Sequence, residues 1–310
     1  MLMNKQKYNG IFPAFYACYG DDGEFSRERT AALTEHYIKK GVKGLYVGGT
    51  SGECIYQSVE ERKAALEAVI EAARGRITVI AHVACNNTRD SMELARHAES
   101  VGADAIAAIP PIYFHLPDHA IAKYWNDISS AAPNTDFVIY NIPQLAGVAL
   151  TQNCLREMMK NPRLIGVKNS SLPTMDIQIW KSIGGDDFIV FNGPDEQLSA
   201  GLTIGAEGGI GGTYGVMPEV YLAIMKAIGE GNVKFATYLQ NKANEIIYEM
   251  CGRHGNMYAV IKEILRIRER VDIGDVRAPL PSLIDEDMPY VKETARRIDE
   301  LVAVALAGKI

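Results

Sequence analysis

Three times along the chain, an amphipathic helical pattern runs into a glycine and then into a short apolar run. The stretches are YIKKGVKGLYVGGT (Tyr37–Thr50), HAESVGADAIAAIPP (His97–Pro111) and GLTIGAEGGIGGT (Gly201–Thr213). Gly41, Gly102 and Gly205 stand where a helix ends on a left-handed residue, a conformation that glycine adopts at little cost. Each following run is too short for a helix and too uniformly apolar for a half-exposed strand. It reads as a strand buried on both faces. Helices alternating with such strands predict a sheet covered by helices.

Further runs fill the intervals. Strands are expected near Ile11–Ala17, Gly44–Gly48, Thr78–Val83, Ala105–Ile109, Phe137–Asn141, Leu164–Lys168, Phe188–Asn192 and Gly208–Gly211. The helical segments between them carry start signals: Ser26 as an N-cap, Ser58 with Glu61 as a capping box, and Thr88 in a cap position. Eight βα units over roughly 225 residues match a (β/α)8 TIM barrel. A doubly wound open sheet is the competing architecture, and the regularity of the units favours closure. After Gly231 the strand signals stop, and helical patterns cover Lys234–Met250, Met257–Arg270 and Met288–Ala307. The expected organisation is an α/β barrel over residues 1–228 and a C-terminal three-helix region over 229–310.

Composition narrows the partners. The 310 residues are 47% hydrophobic, with a net charge of −6 and no long basic run, which argues against nucleic acid. The N-terminus, MLMNKQKYNG, has no apolar core of a secretory signal. No stretch approaches the ~20 apolar residues that span a bilayer. Cys18, Cys54, Cys85, Cys154 and Cys251 are odd in number and contain no Cys-x-x-Cys, as suits a reducing compartment. These features predict a soluble, cytoplasmic protein with no membrane partner. His115 and His119 are the one close histidine pair, and Pro117 between them spoils a helical metal-binding face.

In a barrel of this kind the active site lies at the C-terminal ends of the strands. GGTSGE (Gly48–Glu53) follows the second strand, PPIYF (Pro110–Phe114) the fourth and YNIP (Tyr140–Pro143) the fifth. The sixth ends on Lys168, with Asn169 and Ser170 behind it. NGPDE (Asn192–Glu196) follows the seventh, and GGTYG (Gly211–Gly215) the eighth. One mouth would then hold a lysine, a tyrosine, hydroxyls, a glycine-rich turn and an acid pair, with no metal-ligand cluster. Lysine in such a place suggests covalent amine catalysis on a carbonyl through a Schiff base. The amine must be neutral to attack, and at an ordinary pKa near 10.4 only about 0.04% is neutral at pH 7. A buried strand end supplies the desolvation that lowers this value.

Taken singly, each feature has a plainer explanation. A strand-end lysine is usually solvated, Tyr140 could simply pack, and NGPDE could be a turn opening a helix. Asp195 and Glu196 are adjacent, so they do not flank one bond as a glycosidase pair does. GGIGGTYG lacks the context of a dinucleotide fingerprint. Their joint placement on successive units is what singles them out.

GGTSGE, YNIP, IGVKNSS, NGPDE and GGIGGTY also occur in the order and spacing of the N-acetylneuraminate lyase and dihydrodipicolinate synthase family, which the chain resembles over nearly its whole length. The resemblance implies a (β/α)8 barrel, a pyruvate Schiff base on Lys168, no metal or other cofactor, and a homotetramer. It points to the lyase branch, which cleaves N-acetylneuraminate to N-acetylmannosamine and pyruvate. The synthases carry an arginine where this chain has Leu145. By resemblance, Lys168, Tyr140, Tyr113 and Ser51 are catalytic, with Tyr113 orienting Tyr140 from the same or a neighbouring subunit. Thr50, Ser51, Ser170, Gly193, Asp195, Glu196 and Gly212 would bind substrate. Ser170 and Gly212 stand where the lyases usually have threonine and serine. A synthase, a lyase of another 2-keto-3-deoxy sugar acid, and a non-catalytic sugar-acid-binding paralogue stay open as alternatives.

Overall fold

Gly41, Gly102 and Gly205 all take positive φ, at 78°, 86° and 108°, and each leads into a strand three residues later. The computed structural model describes residues 5–309. Its strands are β1 (Gly10–Pro13), β2 (Gly44–Val47), β3 (Thr78–His82), β4 (Ala105–Ala108), β5 (Asp136–Asn141), β6 (Leu164–Asn169), β7 (Ile189–Asn192) and β8 (Gly208–Gly211). Helices α1 (Arg27–Lys39), α2 (Val59–Ala73), α3 (Thr88–Ser100) and α4 (Asp118–Ala131) link the first five strands. A short α5 (Pro143–Ala146) and α6 (Gln152–Met158) lead to β6, α7 (Met175–Gly184) to β7, and α8 (Leu198–Thr203) to β8. Then come α9 (Pro218–Gly229), α10 (Val233–Cys251), α11 (Met257–Glu269) and α12 (Met288–Ala307).

Every strand pair is parallel, in the order β1-β8-β7-β6-β5-β4-β3-β2. β1 meets β8 on one side. On the other it is tied to β2 by the Phe15 amide donating to Tyr46 O at 2.9 Å and the Lys43 amide donating to Ile11 O at 3.0 Å. The sheet therefore closes into a (β/α)8 TIM barrel with a C-terminal helical extension, and the open doubly wound alternative is excluded. The barrel interior is packed with Phe12, Ile80, Val138, Ile189, Phe191 and Ile210. Phe12 and Phe191 meet edge to face at 5.5 Å. Fully burying side chains of this size stabilises by roughly 1.5–3 kcal/mol each. A second apolar layer fills the space between barrel and helices and runs on without interruption through α10, α11 and α12.

One irregularity positions the site. In the β5–β6 ladder, Phe137 opposes Leu164 but Val138 opposes Gly166, so Ile165 is an extra residue, a β-bulge. Leu164 packs outward against the helices, Ile165 inward in the barrel, and Val167 outward again. A regular strand would put Lys168 on the same face as Leu164, since side chains repeat every second residue. The inserted residue reverses the phase and sends Lys168 inside.

Three details depart from the sequence reading. Asn87, not Thr88, caps α3: its side chain accepts from the Asp90 amide at 2.8 Å, and Thr88 becomes the first helical residue. Asparagine is the stronger cap. The ladder of β1 ends at Pro13 instead of Ala17, because the chain crosses from β8 to β2 there: the Ala14 amide donates to Gly211 O and that of Phe15 to Tyr46 O. The tip of β5 opens the extra helix α5, with proline in its first turn. The expected helices after Gly231 are present as α10 to α12. No helix among the described residues is long and apolar enough to cross a membrane.

Candidate active site

Lys168 and Tyr140 are direct neighbours across β5 and β6. Both point inward at the C-terminal end of the barrel, at 4% and 3% exposure. The Lys168 amine lies 3.8 Å from the centre of the Tyr140 ring and 4.3 Å from that of Tyr46. Burial pulls its pKa down to about 7, against the opposing pull of the Asp195 carboxylate. Half of the amine is therefore neutral near pH 7, which nucleophilic attack on a carbonyl requires. Ring faces stabilise the ammonium only modestly.

Burial pushes the Tyr140 phenol up to about 12, while the hydroxyls of Thr50 and Ser170 beside it work the other way. Tyr140 thus rests as a protonated phenol between two hydroxyl groups. His82, at the end of β3, packs edge-on to Tyr140 at 6.0 Å and shares a 2.9 Å hydrogen bond with Gly48 O through Nδ1. Burial first, and then the nearby Arg62 cation, lower its pKa to about 3, so it is a neutral support.

The loop after β2 forms a 3-10 turn at Thr50–Gly52. The first amides of such a turn have no acceptor within it and are free to meet a carboxylate. Ser51 is buried and donates to the Tyr258 hydroxyl at 3.2 Å. The turn ends on Glu53 at φ 52°. The buried Glu53 carboxylate accepts from Lys262 Nζ at 2.8 Å and from the Arg277 amide at 2.8 Å, so the C-terminal region fixes the turn.

The acid pair after β7 is also braced from outside the barrel. Asp195 accepts from the Thr213 amide and hydroxyl, both at 2.6 Å. Gln240 donates to Asp195 O at 2.9 Å and Asn244 to Glu196 O at 3.0 Å. Burial raises the Asp195 carboxyl to about 6, with the Thr213 bonds holding it down. Gly193 permits a close approach of two strand ends: a Cβ there would sit 2.0 Å from Ser170 Oγ and 2.7 Å from Asn169 O. Of the adjacent serines, Ser171 is engaged by Asn169 and Asp176, leaving Ser170 to the site.

The structure thus brings together Lys168, Tyr140, Thr50, Ser51, Ser170, Gly193, Asp195, Glu196 and Gly212. Tyr113 stands apart. It is 85% exposed, edge to face with Phe114 at 5.1 Å, with φ at 82°, a strained conformation for a tyrosine. Leu145 lies in α5 at 60% exposure. Sequence reasoning missed Tyr46, His82, Thr213 and Tyr258. Tyr46 and His82 were legible in principle, because both sit on barrel strands just before the tips. Tyr258 comes from α11 and carried no such signal.

The fold and the strand-end site define a TIM barrel whose sixth strand presents a desolvated lysine to a tyrosine, an arrangement suited to amine attack on a carbonyl. The chain belongs to the dihydrodipicolinate synthetase family, whose sequence model matches residues 7–298. It is 64% identical to the N-acetylneuraminate lyase of Mediterraneibacter gnavus over 297 residues, which is 96% of this chain and 94% of that one. It is 32% identical to an N-acetylneuraminate lyase of Escherichia coli K12 over 291 residues, 93% and 96% of the two chains. A solved Ruminococcus gnavus sialic acid aldolase, described as its catalytic lysine mutant, superposes with a TM-score of 0.95 at 64% identity, covering 96% of this chain and 98% of that one.

Proposed function

We propose that this protein is a Schiff-base aldolase, a carbon–carbon lyase that cleaves N-acetylneuraminate to N-acetylmannosamine and pyruvate. The observation that carries the mechanism is the buried Lys168 amine, half neutral near pH 7, against the Tyr140 ring. A chain 64% identical to an aldolase with a catalytic lysine supports the same assignment.

Lys168 Nζ attacks C2 of the open-chain keto acid, and loss of water gives a protonated imine. Tyr140 accepts the proton of the C4 hydroxyl. Because it rests as a protonated phenol, it gives its own phenolic proton to the substrate carboxylate as it takes the C4 proton, and remains a phenol throughout. The C3–C4 bonding pair moves into the imine, C4 becomes the aldehyde of N-acetylmannosamine, and a pyruvate enamine stays on Lys168. Protonation at C3 and hydrolysis release pyruvate and restore the amine. Thr50, Ser51 and their amides hold the carboxylate, while Ser170, Gly193, Asp195 and Glu196 meet the acetamido sugar. No cofactor beyond the covalent imine is required.

We infer further a cytoplasmic homotetramer, in which the exposed, strained Tyr113 reaches the Tyr140 of a neighbouring subunit. A dihydrodipicolinate synthase is disfavoured by Leu145, which offers no cation for a second carboxylate. Borohydride reduction with pyruvate, followed by peptide mass mapping, tests the chemistry: an unmodified Lys168 sinks it. Measuring kcat/KM for N-acetylneuraminate against other 2-keto-3-deoxy sugar acids, with aspartate semialdehyde condensation alongside, tests the substrate.

A further inference from the structure

Tyr258 belongs to α11, outside the barrel, yet its hydroxyl enters the barrel mouth. Asn256 caps the helix there, its side chain accepting from the Tyr258 amide at 2.9 Å. One turn further on, Lys262 pairs with the buried Glu53. Residues four apart share a helix face, so α11 presses Tyr258 and Lys262 onto the same loop, against Ser51 and Glu53. The Tyr16 ring flanks Tyr258 at 6.3 Å, and the Tyr16 hydroxyl pins Gly212 O at 2.5 Å.

Gly212 lies between these groups. A Cβ on it would stand 3.4 Å from Ser51 Oγ and 3.5 Å from the Tyr258 hydroxyl, at a φ of −71° that any residue adopts. That space is filled by neither the backbone nor a side chain of residue 212. Next to it, Gly211 borders the Asp195 carboxylate. The Ser51–Tyr258 bond uses one of two hydroxyl protons, so the pair keeps a donor and lone pairs for a ligand.

We propose that Tyr258 is a specificity-determining residue. Its hydroxyl, held by Ser51, occupies the opening at Gly212 and hydrogen-bonds the polyol half of the sugar acid, which leaves as the aldehyde. The inference rests on the aldolase function above. The keto-acid half is held by Lys168 and the Thr50–Ser51 turn, and the side toward Asp195 is left for the sugar hydroxyls. The C-terminal region thereby supplies substrate recognition to the barrel.

The test is Tyr258→Phe, with Gly212→Ser alone and in combination. Tyr258→Phe should lower kcat/KM for N-acetylneuraminate by about tenfold while borohydride trapping of pyruvate on Lys168 stays within about twofold. Adding Gly212→Ser returns a hydroxyl to the same opening and should recover about threefold or more of the loss. In the parent protein, Gly212→Ser crowds Tyr258 and should lower kcat/KM. Unchanged kcat/KM in Tyr258→Phe overturns the proposal. So does an equal loss of pyruvate trapping, which would make Tyr258 a support of the keto-acid half. A parent protein that traps no pyruvate on Lys168 would instead overturn the aldolase function itself.

Discussion

The Lys168 amine sits 3.8 Å from the centre of the Tyr140 ring, its direct partner across the β5–β6 ladder. Two opposed effects meet there. Burial favours the neutral amine, whereas the ring faces of Tyr140 and Tyr46 and the Asp195 carboxylate favour the ammonium. Burial wins, leaving the pKa at about 7.

The rate of imine formation with pyruvate should therefore rise through pH 7 and level off by about pH 8, where roughly 90% of the amine is neutral. Asp195→Asn removes the carboxylate that raises the lysine pKa, so its midpoint should move to lower pH. Stopped-flow or quenched borohydride trapping across pH 5–9 reads both. A midpoint near 10, or an upward shift in Asp195→Asn, contradicts the electrostatics.

Lys168 also lowers the stability of the fold. The unfolded lysine holds its proton to about pH 10.4, whereas the folded one releases it near 7. The unfolded state binds more protons between these values, so this residue makes stability fall as pH drops from 10 to 7, with no further loss below. Lys168→Met should abolish imine formation and raise stability by a few kcal/mol at pH 7. The gain should vanish toward pH 10. Denaturant melts at pH 7 and pH 10 provide the comparison.

Tyr140→Phe keeps the ring over Lys168 and removes only the hydroxyl. Pyruvate trapping should persist, while kcat for cleavage falls by about 10²–10⁴-fold, the usual contribution of a positioned proton-transfer group. If trapping and cleavage fall together, Tyr140 matters for placing Lys168 and not for moving the proton.

The Glu53–Lys262 pair is buried on both sides, with Nζ 2.8 Å from the carboxylate. Lys262→Met strands the Glu53 charge and should cost about 3–5 kcal/mol, whereas Glu53→Gln combined with Lys262→Met should recover much of it. Urea unfolding of the single and double variants decides. Because Glu53 closes the Thr50–Gly52 turn, the single variant should also raise KM.

Much of this was legible in the residues. The helix-ending glycines Gly41, Gly102 and Gly205 mark three of the eight units, and Ser26 and Ser58 open helices as expected. The strand tips place GGTSGE, YNIP, Lys168 and NGPDE at one mouth. The contributions of Gln240 and Tyr258 were not legible, since each reaches the site from a helix beyond the barrel. Thr213 stands at the tip of β8, but its bond to Asp195 was not legible.

The sequence by itself determined the element types, their order and the chemical groups at each strand tip. These follow from local periodicity, caps and glycine placement. Tertiary structure alone decided which way Lys168 points. Counting alternate residues from Leu164 sends it outward, and only the pairing with β5 inserts Ile165 as a bulge and turns it into the barrel. Burial, and with it a reactive amine, follows from that register. The arrival of Tyr258 beside Ser51 follows from how α11 packs. Both depend on contacts between residues remote in sequence, which no local pattern encodes.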